Sequence, residues 1–230
     1  MLDSSSRIHD RIRQSQQARY ANELAGDWEL VLRESNHRMK NTLTLLGVSV
    51  RREITRGGAS GLSQAVDRIE RRVAAFGRVY QILSGDVEHD VLGVADFFAG
   101  LCSALSEAIL EPAGIRCEAV IDSGMLPAAQ CHRLGLMVTE LVTNAAKHAF
   151  PGGRCGQIRV EALKRNGHWY CTVSDNGVGA SGSREGTGGR ILERLAQSIG
   201  AEIIGESGRL GTSITIVVPA SHQDYATRSP

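Results

Sequence analysis

The five cysteines, Cys102, Cys117, Cys131, Cys155 and Cys171, include no CxxC pair, and no secretory h-region precedes them. Reduced thiols in a cytoplasmic setting are the expectation. The longest apolar runs fall far short of the roughly 20 residues that crossing a bilayer takes, so no membrane span is expected. Neither sign of charge predominates: 26 basic against 25 acidic residues give a formal net charge of +1. That balance marks neither a nucleic-acid binder nor a membrane-surface protein, and any charged site must be local. His9, His89, His132, His168 and His222 show no metal-ligand spacing among them and are expected to be structural or solvated. What is present suffices for a folded protein, since 230 residues at 42% hydrophobic content can bury one large core or two small ones.

The chain divides by composition. Residues 1–26 are polar and rich in Ser, Arg and Gln, which suits a solvated lead-in helix. Residues 27–86 read as a helical hairpin. Leu32, Met39, Leu43, Leu46 and Val50 step at helical spacing, "RGGASG" makes the turn, and Leu62, Val66, Ile69, Val73, Phe76, Tyr80 and Leu83 form an a/d heptad series. A lone two-helix hairpin cannot cover both apolar faces. It is expected to pair with a second copy as a homodimer, or to lie against the rest of the chain. "LSGDVEHDVLG", from Leu83 to Gly93, reads as a linker. Residues 92–220 follow as a second domain. Its helices fall near 94–110, 128–150 and 187–199, and its strands near 115–121, 157–164, 168–174, 202–206 and 213–218. The order predicts an α+β sandwich, one antiparallel sheet with helices on one face. Residues 221–230 are expected to be a flexible tail.

Within the hairpin, "ESNHRMKNTL" crowds a histidine, two bases, an acid and two asparagines onto an apolar-striped helix that does not need them to fold. In "MVTELVTNAAKHAF", Glu140, Asn144 and Lys147 recur at i, i+4 and i+7, with His148 beside them. Carboxylate and amide oxygens with an ammonium suit a magnesium ion bridging phosphates, although an ordinary solvated face gives the same pattern. "SDNGVG" follows a strand and reads first as a hairpin turn. "REGTGGRI" comes soon after and opens a helix, whose unpaired N–H groups can hold an anion. "RLGTSITIVVP" sets Gly211 and Thr212 just before the last strand.

Singly these signals are weak, but their order is specific. It resembles the N, G1, G2 and terminal Gly-Thr boxes of the ATP-binding domain shared by histidine kinases, gyrase, Hsp90 and MutL, the Bergerat fold, over roughly residues 94–219. "ESNHRMKN", followed by a helix ending "RVYQILSG", resembles the phosphoacceptor domain of sensor histidine kinases of the second HisKA type. His148 agrees with that type and with the related HWE group. The Trp-x-Glu of the HWE group is missing, because Tyr170 and Cys171 follow Trp169.

The resemblance implies an N-terminal two-helix hairpin for dimerisation and phosphoacceptance, followed by a Bergerat α/β sandwich. His37 would accept the γ-phosphoryl group of ATP. Glu34, one turn earlier, would hold the other ring nitrogen or take its proton, while Lys40 and Asn41 would meet the phosphoryl oxygens with Arg38 flanking. Asn144 would hold Mg²⁺, and Glu140 would orient it or assist proton transfer. Lys147 and His148 would lie near the phosphates. Asp175 would read the adenine amino group, with Gly177 and Gly179 admitting the base. Gly186 and Gly188 would shape the phosphate loop, and Thr212 would support the adenine side. The partner would be a separate response-regulator receiver domain. A histidine phosphotransferase with a vestigial ATP domain and an anti-sigma-type serine kinase are the alternatives. Intact Asn144 and Asp175 oppose the first, and the hairpin carrying His37 opposes the second.

Overall fold

The computed structural model describes residues 62–84, 90–179, 187–208 and 210–219, all within the unit Leu45–Pro230. The lead-in helix, the hairpin up to residue 61 with Glu34, His37, Arg38, Lys40 and Asn41, the segment 180–186 with Gly186, and the tail 221–230 lie outside the described residues.

Helix α1 (Leu62–Ser84) is followed by β1 (Val91–Gly93) and α2 (Val94–Leu105). The α2 backbone widens into a π-turn at Ser106–Leu110 and tightens into a 3-10 turn at Glu111–Ala113. Pro112 has no N–H to continue the helix. Gly114 stops it at φ 73°, donating its N–H to the Glu111 carbonyl at 3.0 Å. Strands β2 (Ile115–Ile121) and β3 (Met125–Pro127) lead into α3 (Ala128–His148). The remaining elements are β4 (Gly156–Arg165), β5 (His168–Asp175), α4 (Thr187–Ser198), β6 (Glu202–Gly208) and β7 (Gly211–Pro219).

Five strands form a sheet in the order β2-β4-β5-β7-β6, and β1 pairs antiparallel with β3 in a separate two-stranded sheet. The sheet is mixed. Strand β2 runs parallel to β4, from Ile115 opposite Gly156 to Ile121 opposite Ala162, and the other pairs are antiparallel. The expectation of an all-antiparallel sheet is corrected here. The connection from β2 to β4 passes through the 21-residue helix α3, and such a crossover returns the chain to the end where it began, which makes the two strands parallel. The expected linker up to Gly93 also ends in a strand, since Leu92 pairs with Leu126. Three residues are too few to show alternation in sequence.

One face of the sheet is buried. Ile158, Val160 and Ala162 of β4, Trp169, Cys171 and Val173 of β5, and Ile216 and Val218 of β7 point inward at period two. The helices cover them with Val94, Phe98, Leu101 and Leu105 of α2, Leu134, Met137, Val138 and Leu141 of α3, and Leu192, Leu195 and Ala196 of α4, all buried. Full burial of each large side chain contributes about 1.5–3 kcal/mol. This core holds α3, the helix carrying Glu140 and Asn144, rigidly against the strands.

Helix α1 lies on this layer with a stripe that takes in only part of its heptad seam. Ala75 and Val79 are buried, and Phe76, Ile82 and Leu83 pack on the core. Val66, Val73 and Tyr80 are instead 46%, 50% and 56% exposed among the described residues. Ile82 Cδ1 sits over Gly100 of α2 and Leu83 over Gly135 of α3, and Arg78 is ion-paired with Glu107 of the π-turn.

Candidate functional site

Helix α3 fixes the first part of the site. The Glu140 side chain is buried, at 6% exposure, and the half-buried Asn144 donates from Nδ2 to Glu140 Oε1 at 3.3 Å. This i, i+4 pair is therefore not an ordinary solvated face. With Nδ2 committed to the carboxylate, the amide Oδ1 remains as an oxygen ligand. Thr139 and Thr143 return their hydroxyl hydrogens to the Gly135 and Glu140 carbonyls at 2.8 and 3.0 Å, which keeps these polar groups satisfied inside the helix. Lys147 and His148, in the last turn, are exposed.

The helix ends in a buried corner at Ala149 and Phe150, followed by Pro151. Here it meets the loop after β5. The Ala149 carbonyl accepts from Val178 N–H at 3.0 Å. Asp175, the last residue of β5, accepts from Gly177 N–H through Oδ1 at 2.9 Å. That bond holds the carboxylate in an Asx turn and leaves its second oxygen for another donor. Asn176 N–H donates to the Gln157 carbonyl at 3.2 Å, and its side-chain Oδ1 accepts from Gln157 N–H at 2.8 Å. Two glycines are required by close approach. A Cβ at Gly177 would lie 2.3 Å from the Ala149 carbonyl oxygen, and one at Gly211, where φ is 123°, would lie 1.8 Å from the Asp175 carbonyl oxygen. Gly179 approaches the Gly208 carbonyl in the same way, so the turn between β6 and β7 is drawn against this loop. Thr212 is near, its Oγ1 3.3 Å from Ser207 Oγ across the β6–β7 ladder.

The structure thus gathers Asp175, Gly177 and Gly179, the end of α3, and the start of β7 with Thr212 around one loop. Glu140 and Asn144 lie on the helix whose end that loop contacts. Gly188 is in the first turn of α4, directly after the undescribed 180–186. Sequence reasoning missed Asn176, Gln157 and the Ala149 carbonyl. Within "SDNGVG" Asn176 reads only as part of an Asn-Gly turn, although an Asn immediately after a strand-ending Asp is the type of residue whose side chain can stand in for a backbone acceptor. The carbonyl carries no sequence signal at all.

Among the described residues, no group of three or more His, Cys, Asp or Glu side chains is placed to hold a metal ion unaided. The oxygens of Glu140 and Asn144 do fit a hard cation that takes the rest of its shell from phosphate and water.

Comparison with known proteins decides the family. Residues 34–109 match the family described as Histidine kinase, of the HisKA_2 type. Residues 130–222 match the Histidine kinase-, DNA gyrase B-, and HSP90-like ATPase family. The chain belongs to the histidine kinase family. Among its relatives, the Blue-light-activated histidine kinase 2 of Erythrobacter litoralis is 29% identical over 84% of the chain and 58% of the relative. The Sensor histidine kinase PdtaS of Mycobacterium tuberculosis is 26% identical over 85% of the chain and 40% of the relative. The chain therefore spans about half the length of the curated relatives it matches. The solved histidine kinase domain of the Erythrobacter litoralis EL346 blue-light activated histidine kinase superposes with a TM-score of 0.55 at 25% identity. That alignment covers 81% of this chain and 96% of that one.

Proposed function

We propose that the chain is an ATP-dependent protein-histidine kinase core. It autophosphorylates His37 and passes the phosphoryl group to an aspartate of a separate response-regulator receiver domain. The observation that carries this reading is the convergence of the Glu140–Asn144 helix and the Asp175 turn on the Ala149 corner, in a chain that matches both family domains. Residues 27–86 form the dimerisation and phosphoacceptor domain of a homodimer in this reading, and residues 92–220 form the ATPase domain.

ATP fits the donors. The free oxygen of Asp175 accepts from the adenine amino group, and Gly177 and Gly179 let the base come close to the backbone. Thr212 flanks the base. Asn144, with Glu140 beside it, would hold a magnesium ion, which would supply positive charge to the phosphates. Lys147 meets the same phosphates as a point charge with His148 beside it, Gly188 brings a backbone N–H group to them in the first turn of α4, and Gly186 shapes the same phosphate loop. At the other substrate, His37 must be neutral and in line to attack. Glu34 on the preceding turn takes or holds the distal ring proton, and Arg38, Lys40 and Asn41 receive the phosphoryl oxygens.

Calorimetric titration with Mg-ATP tests the ATP half separately from phosphorylation. The wild type binds, while Asn144→Ala and Asp175→Asn each lose about tenfold or more in affinity, the scale of a lost charge-assisted contact. Equal affinity in all three proteins contradicts the site.

A further inference from the structure

We propose that Asn176 is a positioning residue that sets Asp175 for adenine recognition; this rests on the reading of Asp175 above and adds a residue that nothing in that reading uses. The geometry comes from the end of the β4–β5 ladder. Its last regular pair is Ile158 opposite Asp175, so the next rung would place Gln157 opposite Asn176. Antiparallel rungs alternate between hydrogen-bonded and non-hydrogen-bonded pairs, and at a hydrogen-bonded pair, the type that Gln157 and Asn176 would make, each residue gives its N–H to the other's main-chain carbonyl. Here only half of that exchange is made by backbone, from Asn176 N–H to the Gln157 carbonyl at 3.2 Å. The other half is made by the side chain, because Gln157 N–H donates to Asn176 Oδ1 at 2.8 Å.

The substitution has a structural consequence. With Oδ1 standing in for its own carbonyl, Asn176 closes the ladder while its main chain is free to leave the sheet. The chain turns at once toward α3, where Gly177 packs on the Ala149 carbonyl and Val178 N–H bonds to it. Asp175 is thereby held between a fixed strand and a fixed exit, and its Oδ1 is occupied by Gly177 N–H at 2.9 Å. One oxygen is left, in one direction. The Gln157 side chain is itself tied to Glu118 Oε2 of β2 at 2.6 Å, so the pin is anchored across three strands.

If the pin is lost, Asp175 keeps its charge but not its direction. The loss should fall on the nucleotide's amino group and not on the phosphates or ribose. ATP is therefore compared with purine riboside triphosphate, which has the same shape but lacks the exocyclic amine, by competition against a fluorescent nucleotide on the full chain. The wild type prefers ATP by about tenfold or more, the value of a hydrogen bond to a carboxylate. Asp175→Ala abolishes the preference. Asn176→Ala cuts it by about threefold or more, with affinity for the desamino nucleotide little changed, and Asn176→Asp, which keeps an acceptor at Oδ1, restores it. Thermal unfolding of each variant reports any loss of stability separately, and a ratio of two affinities is insensitive to the unfolded fraction. A preference unchanged in Asn176→Ala, or a parallel loss of both nucleotides, overturns the role of Asn176 while leaving Asp175 in place. A wild type without preference, or an Asp175→Ala variant that retains it, overturns the adenine reading and the positioning role together.

Discussion

At the scale of single residues, the site is held by contacts too close for any side chain but hydrogen. Gly177 is the clearest case. Its Cα lies against the end of α3, and a methyl group there would stand 2.3 Å from a main-chain carbonyl oxygen that Val178 also needs. Neither partner is a flexible side-chain end that can swing aside. Gly177→Ala is therefore expected to cost about 1–3 kcal/mol of stability. It should also weaken Mg-ATP binding, because relief requires the Asp175 turn to move off the helix that carries Asn144. Chemical denaturation and nucleotide titration on the same preparation check both effects, and a variant with wild-type stability contradicts the close packing. At this scale the sequence marks Glu140, Asn144, Asp175 and Gly177 as candidates by type and order, and the structure describes the hydrogen bonds and close approaches they make. The sequence was not legible for Asn176 or the Ala149 carbonyl. Their roles depend on which backbone groups the folded ladder leaves unpaired, and that is set only once β4 and β5 are in register.

At the scale of elements, the helix layer and the sheet meet through side chains that cannot carry charge. Cys131 of α3 and Cys171 of β5 are both buried, at 0% and 1% exposure. Burial pushes each thiol up to about 12 from an ordinary value of 9.0, with Cys131 adding to the effect on Cys171. The folded protein keeps these protons while the unfolded chain begins to lose them near pH 9. Their contribution to stability is therefore complete below pH 9 and declines between about 9 and 12, by about 1.4 kcal/mol per pH unit for each thiol. Urea midpoints measured from pH 8 to 11 should fall more steeply for the wild type than for Cys131→Ala/Cys171→Ala, and equal slopes contradict the account.

Most elements were readable from period and punctuation, and β2 was placed at its observed limits, Ile115–Ile121. Its parallel pairing was not readable, because strand direction follows from where the α3 crossover returns the chain. Nor was the docking face of α1. A helix with apolar residues at both heptad positions and their neighbours can present either stripe, and the choice falls to the surface it meets. Here Gly100 and Gly135 leave room for Ile82 and Leu83.

At the scale of the whole molecule, the described residues supply an α/β layer in which the Asp175 turn meets the end of α3, with a helix, α1, packed on it. None of the described helices is long and apolar enough to cross a membrane. The order of boxes along the chain was enough to expect the α/β sandwich, since a helix with Glu140 and Asn144, a strand ending in Asp175 and a terminal Gly211-Thr212 strand occur in the order of the family's ATP-binding domain. The central claim is that this corner delivers phosphate to His37. The most direct test incubates the wild type, His37→Gln and Asn144→Ala with γ-labelled ATP and Mg²⁺, then treats the labelled protein with acid and with base. The account predicts acid-labile, base-stable label in the wild type and none in either variant. Acid-stable label, or label that persists in His37→Gln, would contradict it.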